Sequence, residues 1–386
     1  MNTEVLLVRT PQPFPTESFV GYVLRVSERN GYDSPRQLLH LAQISLAAYP
    51  APGLAVEPLA RILGFDPEQL EPIAYRAHAG TAHHFKILEH PLRGGLSHAP
   101  LRLKTPAFCP QCVSQRGYLD AFWDLTVAVG CYEHRRHVLT HCPTCHERVS
   151  AMRPGLLTCR CGASLRNAQT DALDTPTVEL MGVLQAKLHQ RPLSSVANTS
   201  GLPMGLLEQL TLWTVIRLLK TLERCEAQEP VGSKAAVPPP AQGEGGSLAA
   251  AVAALARWPQ GYREFLARSE SRHEYRWVSA SEPWNGTIVT PDARLRVALA
   301  PLHKAYVAHE LMQRGFGTAE AREELPTTAP RSARRGPQAP RGPRPAPTRE
   351  AIQRLLAQRR ATLERIAAGV HPKRSRVRGT GRRLIP

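Results

Sequence analysis

Seven of the eight cysteines in this 386-residue chain fall within one short stretch, between positions 109 and 161. They form close pairs, and one of them is paired with a histidine: Cys109 and Cys112, Cys131 and His134, Cys142 and Cys145, Cys159 and Cys161. A short turn can present two such ligands to one tetrahedral ion, and a second pair a loop away completes the site. The spacing therefore predicts two metal sites.

Zinc is the ion that Cys and His sets of this kind bind in proteins. We expect two structural Zn²⁺ ions, one held by Cys109, Cys112, Cys131 and His134 and the other by Cys142, Cys145, Cys159 and Cys161. His137 and His141 are alternative fourth ligands of the first site. His134 is preferred because its gap from Cys131 repeats the two-residue gap of the CPxC pairs. Four protein ligands leave no position for a reactive water, so we expect the protein not to be an enzyme.

Two other interpretations of the cysteines remain to be tested. A disulfide framework of this density is typical of secreted domains, but the amino-terminal segment MNTEVLLVRT lacks the length and flanks of a signal peptide. We therefore expect a cytoplasmic, nucleoid-associated protein. A zinc hydrolase or nuclease would need an open metal position and a carboxylate base, for which Glu133 and Glu147 are the nearest candidates.

The net charge of +17 indicates a polyanionic partner, and most of that charge lies at the carboxyl end. Residues 327–386 contain 16 Lys or Arg and two acidic residues. Proline and arginine dominate the first part of this segment, which predicts a disordered basic tail that binds DNA, RNA or protein and includes Lys373 as a DNA-contact candidate. No apolar window is long enough for a transmembrane helix, so no membrane contact is expected.

Helical periodicity punctuated by Gly, Pro and Ser predicts a mainly α fold with small zinc ribbons. The predicted domains are an amino-terminal helix-turn-helix-like domain (1–100), a tandem zinc-binding region (101–168), a helical domain (169–228), a linker (229–246), a carboxyl-terminal helical domain (247–325) and the basic tail (326–386). The linker prediction rests on three consecutive prolines followed by a glycine-rich run.

In the amino-terminal domain, Thr16 is predicted to cap a first helix that ends at Gly31, and Ser34 to cap a second. A helix from Val56 stops at Gly64, and a further helical segment covers residues 67–77. Short helices with tight turns are typical of a helix-turn-helix that reads DNA. The DNA-contact candidates here are Arg25, Arg29, Arg36, Gln37 and Arg61, with a solvated face as the alternative.

After the zinc region, the pattern predicts a helix over 176–188, a short helix over 194–198 and a long helix over 203–225. This order fits a second helix-turn-helix and a plain helical core equally well. A helix over 248–265 should break at Trp258 and Pro259. Alternation over 272–299 predicts a hairpin, which beside the helices would make a winged-helix arrangement, and helix returns over 294–315.

The order of several motifs resembles the TniQ family. The motifs are a P-x-x-x-E-S-F-x-G helix start (Pro13–Gly21), CPxC at Cys109, an aromatic-Trp stretch at Trp123, CxxH at Cys131, CPxC at Cys142 and CxCG at Cys159. His134 and Cys142 keep the family's spacing between the two sites. The resemblance covers residues 11–166 and continues weakly at Trp258, Pro259, Tyr262 and Phe265.

This resemblance implies a target-site selection protein of heteromeric, Tn-seven-like transposons. Such a protein would be a non-catalytic adaptor that recognises target DNA or a targeting complex and recruits an AAA+ ATPase and a transposase. An RNA-guided effector complex and a homodimer are further expected partners. The alternative is a zinc-containing helix-turn-helix transcription regulator, and neighbouring transposase and ATPase genes would distinguish the two.

Overall fold

The computed structural model describes residues 7–50, 54–75, 84–93, 100–227, 248–272 and 293–313, and these residues are mainly helical. The helices are α1 (Phe19–Arg29), α2 (Pro35–Leu41), α3 (Glu57–Leu63), α4 (Pro67–Leu70), α5 (Pro110–Arg116), α6 (Thr175–Leu188), α7 (Met204–Gln209), α8 (Leu212–Ala227), α9 (Ala249–Leu255), α10 (Gln260–Arg272) and α11 (Ala293–Gln313). Two antiparallel hairpins accompany them, β1 (His84–Ile87) with β2 (His90–Arg93), and β3 (Gly130–Cys131) with β4 (Arg136–His137). The predicted mainly helical fold is confirmed for this part of the chain.

Helix α1 begins two residues later than the predicted cap, Thr16, would place its start. Ser18 is the N-cap, and its Oγ accepts a hydrogen bond from the N–H of Gly21 at 3.3 Å. The prediction of Thr16 is wrong because its hydroxyl donates to Asp120 instead, at 3.1 Å. The next signals are confirmed, since Ser34 caps α2 and Gly64 ends α3 in the left-handed conformation.

Helix α4 is a single turn, shorter than predicted. Asp66 caps it in a capping box with Gln69, and the chain passes into turns after Leu70. Residues 76–83 lie outside the described part, so the end of the predicted segment is not tested.

The long helix predicted over 203–225 is two helices, α7 and α8. Leu210 is extended (φ −82°, ψ 143°), and Thr211 starts the second helix by accepting the N–H of Thr214 at 3.2 Å. A threonine side chain that binds nearby backbone competes with the helix interior and favours a cap, which explains the break. The short helix predicted at 194–198 is a 3-10 turn at Leu193–Ser195.

Helices α9 and α10 meet at Trp258 and Pro259, as predicted. The carboxyl-terminal part of the predicted hairpin is wrong, because residues 293–299 form the start of α11. Leu299, Leu302 and Tyr306 are buried at helical spacing, so the segment is stabilised by one packed helical stripe. Residues 273–292, which include the rest of the predicted hairpin, lie outside the described part, as do the linker at 229–246 and the tail at 326–386.

The helices that follow the metal region pack on one another. Helix α8 contacts α6, α9, α11 and strand β2, and α6 contacts strand β3. All described residues fall within one compact unit. None of the described helices is long and apolar enough to cross a membrane.

Candidate metal centres

The first set of predicted ligands converges between helix α5 and the β3–β4 hairpin. Cys109 is the N-cap of α5, Cys112 lies in its first turn, and Cys131 ends β3. His134 lies in the turn that follows. Its Nδ1 is 3.2 Å from the Sγ of Cys112, 3.4 Å from that of Cys131 and 3.5 Å from that of Cys109.

These distances fit a tetrahedral metal ion. Bond lengths of about 2.3 Å for zinc–sulfur and about 2.0 Å for zinc–nitrogen place neighbouring ligand atoms about 3.5 Å apart. The four ligand atoms all lie within 4.8 Å of one another. A disulfide does not fit, since the sulfurs of Cys112 and Cys131 are 3.4 Å apart and an S–S bond is about 2.05 Å.

His134, and neither alternative histidine, belongs to this set. The Nδ1 of His141 is instead hydrogen-bonded to the Oγ1 of Thr140 at 3.0 Å, and His137 is exposed on β4. The reverse turn carries His134 back over Cys131, and its N–H lies 3.3 Å from the Cys131 Sγ.

The second set is formed by two tight turns. Its sulfurs also lie within 4.8 Å of one another, with 3.8 Å between Cys142 and Cys161 and 3.8 Å between Cys145 and Cys159. The N–H of Thr144 lies 3.4 Å from the Cys142 sulfur, which stabilises a thiolate in the turn. Gly162 follows the CxC pair at φ +85°, a conformation that a side chain would strain.

The two sets differ in burial. Cys109, Cys112 and Cys131 are buried, whereas Cys145 is half-buried and Cys161 is exposed. Both sets have a donor composition that zinc prefers, Cys₃His and Cys₄. An ion bound there would link chain segments to each other. The second set would exchange its metal more readily because solvent reaches it.

The amino-terminal motif that precedes α1 is joined to the metal region by buried polar contacts. Glu17 is fully buried, and its carboxylate accepts from Arg25 at 2.6 and 2.8 Å and from the N–H of Phe14 at 3.1 Å. Burial raises the pKa of Glu17, while the Arg25 guanidinium acts against that increase. Arg25 also lies over the Phe14 ring, 4.8 Å from its centroid.

Ser18 and Gly21 make the direct junction. The N–H of Ser18 donates to the carbonyl of Leu119 at 2.8 Å, and the N–H of Ala121 donates back to Thr16 at 2.8 Å. Gly21 packs so closely on this loop that a Cβ at position 21 would lie 2.5 Å from the Leu119 Cβ. The motif therefore fastens α1 to the loop between the two halves of the first metal set.

Asp124 completes the junction from the side of the metal region. It is buried, accepts from the hydroxyl of Ser18 at 2.6 Å, and also accepts from the hydroxyl of Tyr75. Burial raises the pKa of Asp124 to about 6. Asp120, one turn earlier, pairs with Arg116 and with the Nε2 of His189.

Residues 8–138 match the TniQ family model. The matched segment, hereafter the TniQ segment, contains the Glu17–Ser18–Gly21 motif and the whole first ligand set. It ends before Cys142, so the second set and the Trp258 motif, which the sequence also related to this family, lie outside it. The match indicates a protein of DNA transposition that takes part in DNA targeting. No curated protein matches the chain.

Sequence reasoning missed the junction of the TniQ segment. It included Glu17 only as one position of a helix-start motif, but the side chain is a buried partner of Arg25. The available signal was a Glu-Ser pair directly before an apolar stripe, together with Asp120 and Asp124 around the apolar Phe122 and Trp123.

One predicted DNA contact in the TniQ segment is corrected by the structure. Arg25 is buried at 4% exposure, and its guanidinium pairs with Glu17 and donates a hydrogen bond to the carbonyl of Gln12. The remaining candidates Arg29, Arg36, Gln37 and Arg61 are exposed. Lys373 lies outside the described residues.

The carboxylates nearest the ligands have other roles. Glu133 forms an ion pair with Arg116, and Glu147 is exposed on the turn after Cys145. Because each set offers four protein ligands, neither carboxylate faces an open metal position in this arrangement.

Proposed function

We propose that this protein is a non-catalytic targeting adaptor of DNA transposition. It recognises target DNA or a targeting complex and recruits the AAA+ ATPase and the transposase of its element. The observation that carries this proposal is the TniQ match over residues 8–138, since TniQ is in general a non-catalytic adaptor domain.

The metal centres support a structural role. Four protein ligands in each set leave a tetrahedral ion no site for substrate or water. We infer that two zinc ions are bound, and that the first one stiffens the loop on which α1 rests. A rigid loop would hold the amino-terminal helices in one orientation relative to the metal region.

We assign DNA contacts to exposed side chains of the amino-terminal helices. Arg29 ends α1, Arg36 and Gln37 open α2, and Arg61 projects from α3. Exposed guanidinium groups bind phosphates and guanine edges, whereas the buried Arg25 holds the domain together. The basic tail, with Lys373 within it, would add contacts that weaken as salt rises.

A partner must supply ATP hydrolysis. The sequence has no G-x-x-x-x-G-K-[ST] phosphate loop, so the ATPase of the proposed assembly is a separate protein. A homodimer, or an RNA-guided complex in place of a fixed DNA site, is compatible with the same role. Action on target DNA would place the protein in the cytoplasm with the nucleoid.

A transposition assay tests the proposal. The element's ATPase and transposase are expressed with and without this chain, and insertion sites are mapped by sequencing. We expect clustered insertions with the wild-type chain and scattered or no insertions without it. Footprinting of the clustered site with purified protein then tests direct DNA recognition.

Two cysteine variants test whether the clustering of insertions requires the metal region. A variant with Cys112 and Cys145 both changed to Ser should abolish clustering by unfolding the metal region, whereas Cys225→Ser should not. An unchanged insertion pattern without the chain contradicts the proposal. If deletion instead changes transcript levels while insertions stay the same, the protein is a transcription regulator.

A further inference from the structure

A groove of 940 Å³ lies where helix α8 begins, between strand β2 of the TniQ segment and the helices that follow the metal region. Strand β2 forms one wall with Pro91 and Leu92, and the end of α6 forms another. Leu210, between α7 and α8, and Trp213, at the start of α8, also line the groove. We call this the Trp213 groove. Its volume is in the range of small-molecule sites in proteins.

The charge of the groove is positive. Lys187, Arg191 and Arg217 line it, and Glu208 is the single acidic lining residue among those that the structure describes. Among the described residues, no carboxylate forms an ion pair with Arg191 or Arg217. Within this part of the chain both guanidinium groups lack a carboxylate partner, so each can bind an anion.

Other polar groups of the groove are already engaged. Lys187 donates from Nζ to the carbonyl of Glu208 at 3.2 Å, and burial lowers its pKa. His90 donates from Nε2 to the carbonyl of Leu188 at 2.9 Å. These bonds hold α6, α7 and β2 together around the groove, so its shape is set before a ligand arrives.

Trp213 gives the groove an aromatic surface. Its neighbours Leu212, Val215 and Ile216 are buried in the helical core, whereas Trp213 itself is only half-buried. The Arg217 guanidinium lies 6.0 Å from the ring centroid. An indole ring next to guanidinium groups that have no carboxylate partner among the described residues is a combination that binds a nucleobase by stacking and its phosphates by charge.

We propose that the Trp213 groove holds one unpaired nucleotide of the target DNA. The base stacks on Trp213, and Arg191 and Arg217 bind the phosphates on either side of it. An acidic peptide would also match the charge, but it would not use the aromatic face. This inference rests on the proposed function, because it assumes that the chain meets DNA at its target.

The test compares two fluorescent duplexes of equal length, one fully paired and one with a single central unpaired adenosine. Affinities are measured by anisotropy with the full chain in its zinc-bound form. We expect the wild type to bind the duplex with the unpaired nucleotide about tenfold more tightly, the size of one stacking contact. Trp213→Phe should keep most of this preference, and Trp213→Leu should abolish it.

The arginines are tested with separate variants. These variants keep the proposal testable even if Trp213→Leu does not fold. Arg191→Ala, at an exposed position, should weaken binding to the unpaired duplex and lower the salt dependence of log K by about one, since the protein then neutralises one phosphate fewer. Lys104→Ala removes one exposed positive charge outside the groove and is the matched control. Circular dichroism and zinc content should be unchanged in each variant that is compared.

The outcomes separate this inference from the proposed function. If the wild type binds both duplexes equally, or if folded Trp213→Leu keeps the preference, the nucleotide site is wrong and DNA targeting stands. If the wild type binds no DNA, the nucleotide site and direct recognition of target DNA are both wrong, and the transposition assay decides whether the chain acts through a targeting complex. If Trp213→Leu leaves DNA binding intact and weakens binding to the ATPase, the groove docks a protein and the nucleotide proposal is overturned.

Discussion

Ser18 donates a hydrogen bond from Oγ to the Oδ2 of Asp124 at 2.6 Å, across 106 positions of the chain. The same Ser18 oxygen accepts the N–H of Gly21 and so starts helix α1. One side chain thus sets where the first helix begins and fastens it to the loop inside the first metal set.

Asp124 should give the protein a stability that decreases as pH rises. Burial raises the pKa of Asp124 from near 3.8 to about 6. Between these two pH values the carboxyl is protonated in the folded state and ionised in the unfolded state. The stabilisation is complete below the unfolded pKa and is lost as pH rises through about 6. Relative to Asp124→Asn, the free energy of unfolding of the wild type should therefore fall by about 1 to 3 kcal/mol over this window.

Urea unfolding at several pH values between about 4 and about 7, with zinc saturating, measures this difference. Asn is the matched replacement because it is neutral at every pH and keeps an acceptor for Ser18. Parallel pH profiles for the two proteins would show that Asp124 does not titrate in this window.

Gly21 should not tolerate a methyl group. A Cβ at this position would meet the Leu119 Cβ at 2.5 Å, and Leu119 is held by the backbone bond to Ser18. We expect Gly21→Ala to lower the free energy of unfolding by about 1 to 3 kcal/mol, the usual cost of overpacking. Thermal or urea unfolding measures it.

Gly205→Ala is the control for that substitution. Gly205 also lies in a helix, but nothing lies within 4 Å of its added Cβ. Alanine should stabilise α7 slightly there, by up to about 1 kcal/mol. If both alanine variants behave alike, the close approach at Gly21 is not what decides stability.

Metal content should follow the two ligand sets. We expect the purified chain to bind two zinc ions, and Cys112→Ser or Cys145→Ser to lose one ion each, measured by mass spectrometry of the metal. Cys225→Ser should keep both, since Cys225 is buried in α8 outside both sets. Retention of both ions by the Cys112 or Cys145 variant would be incompatible with these ligand sets.

The order of metal release should follow burial. A chelator should remove the ion of the second set first, because Cys161 is exposed and Cys145 half-buried, whereas the sulfurs of the first set are buried. Release monitored with a zinc-sensitive dye in the two single-site variants distinguishes the ions. Faster loss from the first set would contradict this reasoning.

Arg25 and Arg29 should separate stability from DNA binding. Arg25→Met leaves the Glu17 carboxylate buried without its partner and should cost about 3 to 5 kcal/mol, much of it recovered in the double variant Glu17→Gln, Arg25→Met. Arg29→Ala should change stability by less than about 0.5 kcal/mol because the side chain is exposed.

For DNA affinity we expect the reverse order, with a loss on substitution of Arg29 and none on substitution of Arg25 together with Glu17. Arg29→Ala should weaken binding and reduce the salt dependence by about one if it contacts a phosphate. The folded double variant at positions 17 and 25 should bind DNA like the wild type. If the folded double variant binds DNA more weakly than the wild type, Arg25 does contact DNA and the correction made above is wrong.

Local spacing in the sequence determined the two ligand sets, the start of α2 at Ser34 and Pro35, and the breaks at Gly64 and Trp258. Each of these depends on residues a few positions apart, which constrain the backbone directly. Only the tertiary structure decided that Arg25 is buried and that Trp213 borders a basic groove. Both outcomes depend on which distant segments of the chain pack against a side chain and exclude water from it. The contact between Ser18 and Asp124 is of the same kind, because it joins residues 106 positions apart. Short-range sequence patterns do not predict such contacts.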